Sequence, residues 1–172
     1  MTWKKATGAS GYYIYRKTGS NSAVLAKTIT SGSTLTYTDT VAKTNGTKYT
    51  YYVVAYKTVS DVKYKSANSA TKVSYFITRP SISSLKSTTA KKMTATWAKN
   101  TKATGYQIQY STSSSFASGN KTVTVSSAST LTKTISSLTS GKKYYVRMRT
   151  YKTVSGTKYY SAWSATKNVA VK

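Results

Sequence analysis

Cysteine and histidine are both absent from these 172 residues, and acidic residues number only two, Asp39 and Asp61. Without Cys or His there is no thiolate or imidazole metal ligand, no thiol nucleophile and no imidazole base. A carboxylate pair for acid–base work would need both acids, which stand in two different turns. The chain is therefore expected to carry no catalytic, cofactor-binding or metal-binding residues. Lack of cysteine also removes any disulfide framework and leaves the redox compartment open. No stretch approaches the roughly 20 apolar residues of a membrane span. The opening Met1-Thr2-Trp3-Lys4-Lys5 runs straight into patterned sequence, without the apolar core of a signal peptide.

Aliphatic residues are also scarce: Leu, Ile, Val and Phe together make 26 of the 172. Combined with 27 basic residues and a net charge of +25, so low a value normally describes a disordered chain. What is present argues otherwise. There are 17 Tyr and 3 Trp with abundant Thr, all strand formers, and the rings supply area for a core. The sequence also repeats, which disorder does not.

Trp3 is followed eight residues later by Gly11-Tyr12-Tyr13-Ile14-Tyr15, and Trp97 eight later by Gly105-Tyr106-Gln107-Ile108-Gln109. Gly46-Thr47-Lys48-Tyr49 matches Gly141-Lys142-Lys143-Tyr144, and Tyr56-Lys57-Thr58-Val59-Ser60 matches Tyr151-Lys152-Thr153-Val154-Ser155. Ser69-Ala70-Thr71-Lys72 matches Ser164-Ala165-Thr166-Lys167. The near-constant offset means a duplicated domain, with copies over 1–78 and 79–172 joined near Thr78-Arg79-Pro80. Within each copy the apolar period is two. Tyr106, Ile108 and Tyr110 alternate with Gln107, Gln109 and Ser111, and Tyr144, Val146 and Met148 with Tyr145, Arg147 and Arg149. That is the signature of half-buried antiparallel strands, and short strands between Gly, Ser and Asn turns predict an all-β sandwich. Ser60-Asp61 and Ser155-Gly156 read as hairpin tips.

Each copy resembles a fibronectin type III domain, of the Tyr- and Lys-rich kind found in surface proteins of Gram-positive bacteria. The residues that carry the resemblance are the strand-B Trp (Trp3, Trp97), the strand-C Gly-Tyr-x-Ile (Gly11 to Ile14, Gly105 to Ile108), the turn and Tyr entering strand F (Gly46 to Tyr49, Leu138 to Tyr144) and the strand-G Ser-Ala-x-x-Ala (Ser66 to Ala70, Ser161 to Ala165). It implies two tandem immunoglobulin-like sandwiches, a core role for Trp97, and tyrosine-corner roles for Tyr49 and Tyr144. It also implies an extracellular or cell-wall location. Copy two has room for strand A (Ile82 to Ser87) and the rest of strand B (Lys92 to Trp97). Copy one has two residues before Trp3, so it should lack strand A, as a piece cut from a longer array of further repeats would.

Ser69-x-x-Lys72, Ser83-x-x-Lys86 and Ser164-x-x-Lys167 match the spacing of serine acyl-enzymes, but that chemistry needs a helix and these lie on expected strands. The outward faces are more informative. Alternation turns Tyr13, Tyr15, Tyr52 and Tyr56 outward in copy one, and Gln107, Gln109, Tyr145, Arg147, Arg149 and Tyr151 in copy two. Tyrosine rings stack on sugars while Lys and Arg pair with phosphates or carboxylates, so such a face suits an anionic polysaccharide or teichoic acid. Lys outnumbers Arg by 23 to 4, scattered along both copies, which speaks for diffuse contact rather than base reading and against a specific nucleic-acid partner. The expected function is a non-catalytic spacer and adhesion module. A virion accessory domain and a non-specific nucleic-acid binder are the alternatives.

Overall fold

The computed structural model describes residues 1–172, which form thirteen strands and no helix. They divide into two compact units, Met1–Phe76 and Ile77–Lys172. The expected border at 78/79 lies slightly further along the chain. Thr78 belongs with the second unit because its carbonyl accepts hydrogen bonds from Thr150 Oγ1 and Asn100 Nδ2.

Unit two has two sheets. The smaller joins β6 (Ile82–Lys86), β7 (Met93–Trp97) and β10 (Thr132–Ile135) in the order β10-β7-β6. The larger places β8 (Gly105–Ser111) between β9 (Lys121–Val125) and the long β11 (Lys143–Val154). β12 (Thr157–Tyr160) and β13 (Lys167–Ala170) pair with the two ends of β11. This is the two-sheet arrangement that the resemblance implies, with the pieces of strand A and strand B where the sequence puts them. Period-two alternation sends Tyr106, Ile108, Tyr110, Val146 and Met148 inward, where they meet Trp97, Met93, Ala95 and Ile135 in a buried cluster. Trp97 stands edge-on to Tyr106 at 5.3 Å between centroids.

Unit one repeats the larger sheet almost element for element: β1 (Gly11–Thr18) lies between β2 (Val24–Ile29) and β3 (Lys48–Val59), and β4 (Val62–Lys65) and β5 (Lys72–Tyr75) pair with β3. Its counterpart of the smaller sheet is a single bridge, Thr2 with Thr36, flanked by the bonds Trp3 N to Leu35 O and Tyr37 N to Met1 O. Strand A has no counterpart in this unit. Its cluster of fully buried apolar side chains is correspondingly small, namely Tyr12, Ile14, Tyr49, Tyr51 and Val53, and Trp3 is only half-buried against it.

Local devices recur in both units. Ser60 and Asp61, and Ser155 and Gly156, all take positive φ at two-residue hairpin tips, as tight turns between right-twisted strands require. Tyr49 OH accepts the N–H of Thr44, and Tyr144 OH that of Thr139, each five residues upstream. These are the tyrosine corners. One expectation is corrected. The Ser-Ala-x-x-Ala segments are not continuous strands but breaks in the edge strand, between β4 and β5 and between β12 and β13. There Ser66 and Ser69 exchange two hydrogen bonds each with Ala55 and Val53, their N–H donating to a β3 carbonyl and their Oγ accepting a β3 N–H. Ser161 and Ser164 clasp Thr150 and Met148 in the same way. The hydroxyls of Ser69 and Ser164 are thus committed to backbone, and neither they nor Ser83 on β6 lies on a helix with its paired Lys.

Candidate binding face

The outer faces of the two larger sheets carry the eight residues that alternation selects, four on each, but handle them differently. In unit one Tyr15 and Tyr52 are cross-strand partners and stack at 4.9 Å with planes 10° apart. Tyr13 lies 4.7 Å from Tyr56. Each ring gives a face to its neighbour, and Lys65 and Lys63 sit over Tyr13 and Tyr56. The half-buried rings thereby lose part of the surface on which a sugar would stack.

Tyr56 and Tyr151 require a correction. Both lie on the outward side by register, yet they are 4% and 3% exposed. The cause is the residue opposite each: Gly11 pairs with Tyr56 and Gly105 with Tyr151. With no Cβ in the way, each ring folds down over its glycine, and its hydroxyl donates to the carbonyl of Ile29 or Val125 on the next strand. A Cβ at position 11 would stand 2.1 Å from Ile29 O, and one at 105 would stand 2.2 Å from Val125 O. These tyrosines cover glycines and are not available to a ligand.

In unit two, tyrosine pairs give way to a column of rings and guanidinium groups. The Arg147 guanidinium carbon is 4.1 Å from the centre of Phe116 and 4.8 Å from that of Trp163. Arg149 is 4.4 Å from Trp163 and 3.9 Å from Tyr160. The order along the face is Phe116, Arg147, Trp163, Arg149, Tyr160. Cross-strand partners fix the roll of each group, because Arg147 Nε donates to Gln109 Oε1 and Arg149 Nε to Gln107 Oε1, both at 2.8 Å. No carboxylate is near. Burial lowers the pKa of Arg149; Tyr160 opposes it, and the adjacent Arg147 charge adds a smaller lowering effect. Tyr145 is half-buried on the same strand.

Phe116, Trp163 and Tyr160 escaped the sequence reading. Trp163 arrives from the serine-clasped break in the edge strand, where unit one has Asn68. Phe116 arrives from a loop, residues 112–120, that is longer than its counterpart at 19–23. Its φ of 57° lies in the left-handed region that bulky side chains avoid. The loop is tied down around it, since Asn120 Nδ2 donates to Phe116 O and Ser111 Oγ to Ser118 O. The available signals were an aromatic between two serines and an arginine pair at i, i+2 on the neighbouring strand.

Asp39, one of the two acids, also has a place. It accepts hydrogen bonds from Tyr51 OH at 2.6 Å, Val41 N at 3.1 Å and Arg16 Nη1 at 3.1 and 3.2 Å, and its side chain is 7% exposed. Burial alone would raise its pKa, but the hydrogen bonds from Tyr51, Val41 and Arg16 outweigh it and hold the carboxyl below its ordinary value. Burial first, and then the bond to Asp39, push the Tyr51 phenol up. An open cleft of about 330 Å³ adjoins this cluster, lined by Tyr37, Asp39, Lys43, Tyr51 and Lys72 among others. With both carboxylate oxygens engaged and the acid ionised, Asp39 is a counter-ion rather than a proton donor.

No protein-family model matches the chain, and no curated protein matches it in sequence. Among solved structures, the crystal structure of the chicken CNTN1 FN1-FN3 domains aligns over 99% of this chain and 59% of its own length, at 20% identity and a TM-score of 0.46. The solution structure of the fn3 domain of human collagen alpha-1(XX) chain aligns over 55% of this chain and 84% of its own, at 19% identity and a TM-score of 0.44. This chain thus spans less than two thirds of the first of these. The strand order, the two sheets of unit two and the paired tyrosine corners make the fold a tandem of fibronectin type III-like β-sandwiches.

Proposed function

We propose that the chain is a non-catalytic spacer and adhesion segment of a secreted or cell-surface bacterial protein, which holds anionic wall polymers or glycans by weak, multivalent and salt-sensitive contacts. The observation that carries this reading is the distribution of charge. Unit one has 11 basic and 2 acidic residues, a net +9, and unit two has 16 basic residues and no acid. Of the two acids, Asp39 is consumed internally by Arg16. Nothing on the surface of unit two neutralises its field, so a polyanion gains by displacing its counter-ions onto it. Because most of these charges are Lys, contact with phosphate or carboxylate is diffuse over much of the surface.

Co-sedimentation with Gram-positive cell walls, intact and stripped of teichoic acid, tests this over a salt series. The expected result is binding that falls steeply with salt and is lost on stripping. Binding indifferent to salt would reject charge as the driving force. No binding to either wall would reject adhesion and leave a spacer.

A further inference from the structure

The guanidinium column of unit two is a built object, and its construction bears on what it can hold. Arginine side chains on a sheet surface normally sample many rotamers, and binding through them costs the entropy of fixing them. Here both are fixed beforehand. Each guanidinium lies over two aromatic rings, and each Nε is held by a glutamine. The arrangement leaves the Nη edge of each fork free. No protein acceptor takes these N–H groups, and they do not figure among the buried unpartnered atoms, so they reach solvent. That edge is the one that meets two oxygens of a phosphate or carboxylate side by side.

The two forks are also spaced. Their distances to the shared Trp163 ring, 4.8 and 4.4 Å, place the guanidinium carbons no more than 9.2 Å apart. Residues i and i+2 on a strand start about 6.6 Å apart. The cost of construction is visible too: Phe116 sits at φ 57°, in the left-handed region that residues other than glycine rarely occupy, in the loop that delivers the first ring. Unlike Arg16 in unit one, which pairs with Asp39, neither arginine of the ladder has a carboxylate counter-ion.

We propose that Arg147 and Arg149 form a preorganised double oxoanion site that takes two successive phosphate groups of a linear phosphodiester polymer, one on each fork. The proposal rests on the polyanion reading above and narrows it, from diffuse attraction over the surface to one register of contact on unit two. Gln107, Gln109, Trp163, Phe116 and Tyr160 are positioning residues that hold the two forks in place. The Lys residues elsewhere supply attraction without register.

The test uses the full chain and a short synthetic oligo(glycerol phosphate). An oligogalacturonate of the same number of charges and inorganic phosphate serve as comparison probes. Binding is followed by calorimetry and by the NMR signals of the Arg147 and Arg149 Nε–H groups. The expected result is that the phosphodiester oligomer shifts both signals together at concentrations where inorganic phosphate does not. The double variant Arg147→Lys/Arg149→Lys, which keeps the net charge, should bind the oligomer about tenfold more weakly. Lys152→Gln/Lys158→Gln, which removes two charges from the β11–β12 hairpin, should lose less than threefold. Equal affinity of the Arg→Lys variant and the parent overturns the site, while a steep salt dependence retained in that variant leaves the diffuse reading standing. Stronger shifts with oligogalacturonate would overturn phosphate as the ligand. Failure of the parent to bind any probe at low salt would overturn both readings. Trp163→Phe, which keeps a ring between the forks, guards against a folding defect and should retain most of the affinity.

Discussion

Arginine faces inward in one unit and outward in the other, and its fate differs accordingly. At the end of the unit-one core, Arg16 pairs with Asp39, and Tyr51 closes the group. By strand register Arg16 stands where unit two has Tyr110, and Tyr51 where it has Val146. Asp39 precedes Ile135 by the same offset that relates Leu35 to Leu131, whose carbonyls receive the N–H of Trp3 and Trp97. An ionic cluster in one copy is therefore an apolar layer in the other. On the outer face the exchange runs in the opposite direction. Tyr15 over Tyr52 becomes Gln109 beside Arg147, and Val54 becomes Arg149. The same sheet can spend a guanidinium on its own carboxylate or hold it ready for someone else's. Which it does is decided by the side of the strand on which the residue falls.

The largest expected effect is in the cores. Trp97→Ala removes a ring that is 3% exposed and should cost about 4 kcal/mol. Trp3→Ala, half-buried beside a single bridge, should cost about 2 kcal/mol. Calorimetry of the full chain, resolved into two transitions, measures both, and equal losses would mean that the small second sheet of unit one is no weaker than that of unit two. Next come the glycines under the tyrosines. Gly11→Ala and Gly105→Ala should each cost about 3 kcal/mol, because the obstructing atom is a backbone carbonyl that cannot swing away. Here the comparison predicts parity, and a large difference in chemical denaturation between the two variants would break it.

Acid separates the units. The Asp39 carboxyl is held below its ordinary value, so it contributes stability that is present above about pH 5 and lost as the pH falls below about 4 through the lowered folded value. Unit two has no Asp or Glu, so its transition should stay put over that range while that of unit one drops. Asp39→Asn should abolish the difference and lower the unit-one transition by about 2 kcal/mol at neutral pH, through the unpaired Arg16. The smallest effect is that of Tyr52→Ala, which unstacks Tyr15 at a cost of about 1 kcal/mol, read in the same melts.

Much of this was legible from period and repetition. Alternation sorted Tyr12, Ile14, Tyr106 and Ile108 inward and Tyr15, Arg147 and Arg149 outward, and the duplication showed that the first strand of unit two has no counterpart in unit one. What alternation cannot express is what crosses from a neighbouring element. Tyr56 and Tyr151 are buried on an outer face because glycine is opposite, a fact of register between strands about 45 residues apart in sequence. The Arg16–Asp39 pair is separated by 23 residues and carries no local signature beyond the rarity of acids. Trp163 and Phe116 enter from a strand break and a strained loop, neither of which has a period to read.

The serine clasps have a consequence for a chain that carries two near-copies of itself. Neighbouring like units are held at high mutual concentration, where an open strand margin invites them to zip together wrongly. In both units one margin of the larger sheet is formed by the segment running from β4 to β5 or from β12 to β13. Because Ser66 and Ser69, or Ser161 and Ser164, satisfy β3 or β11 through their hydroxyls, that margin is broken midway, and no long straight template is presented to the sibling unit. At this margin neither copy offers the other a continuous strand to pair with.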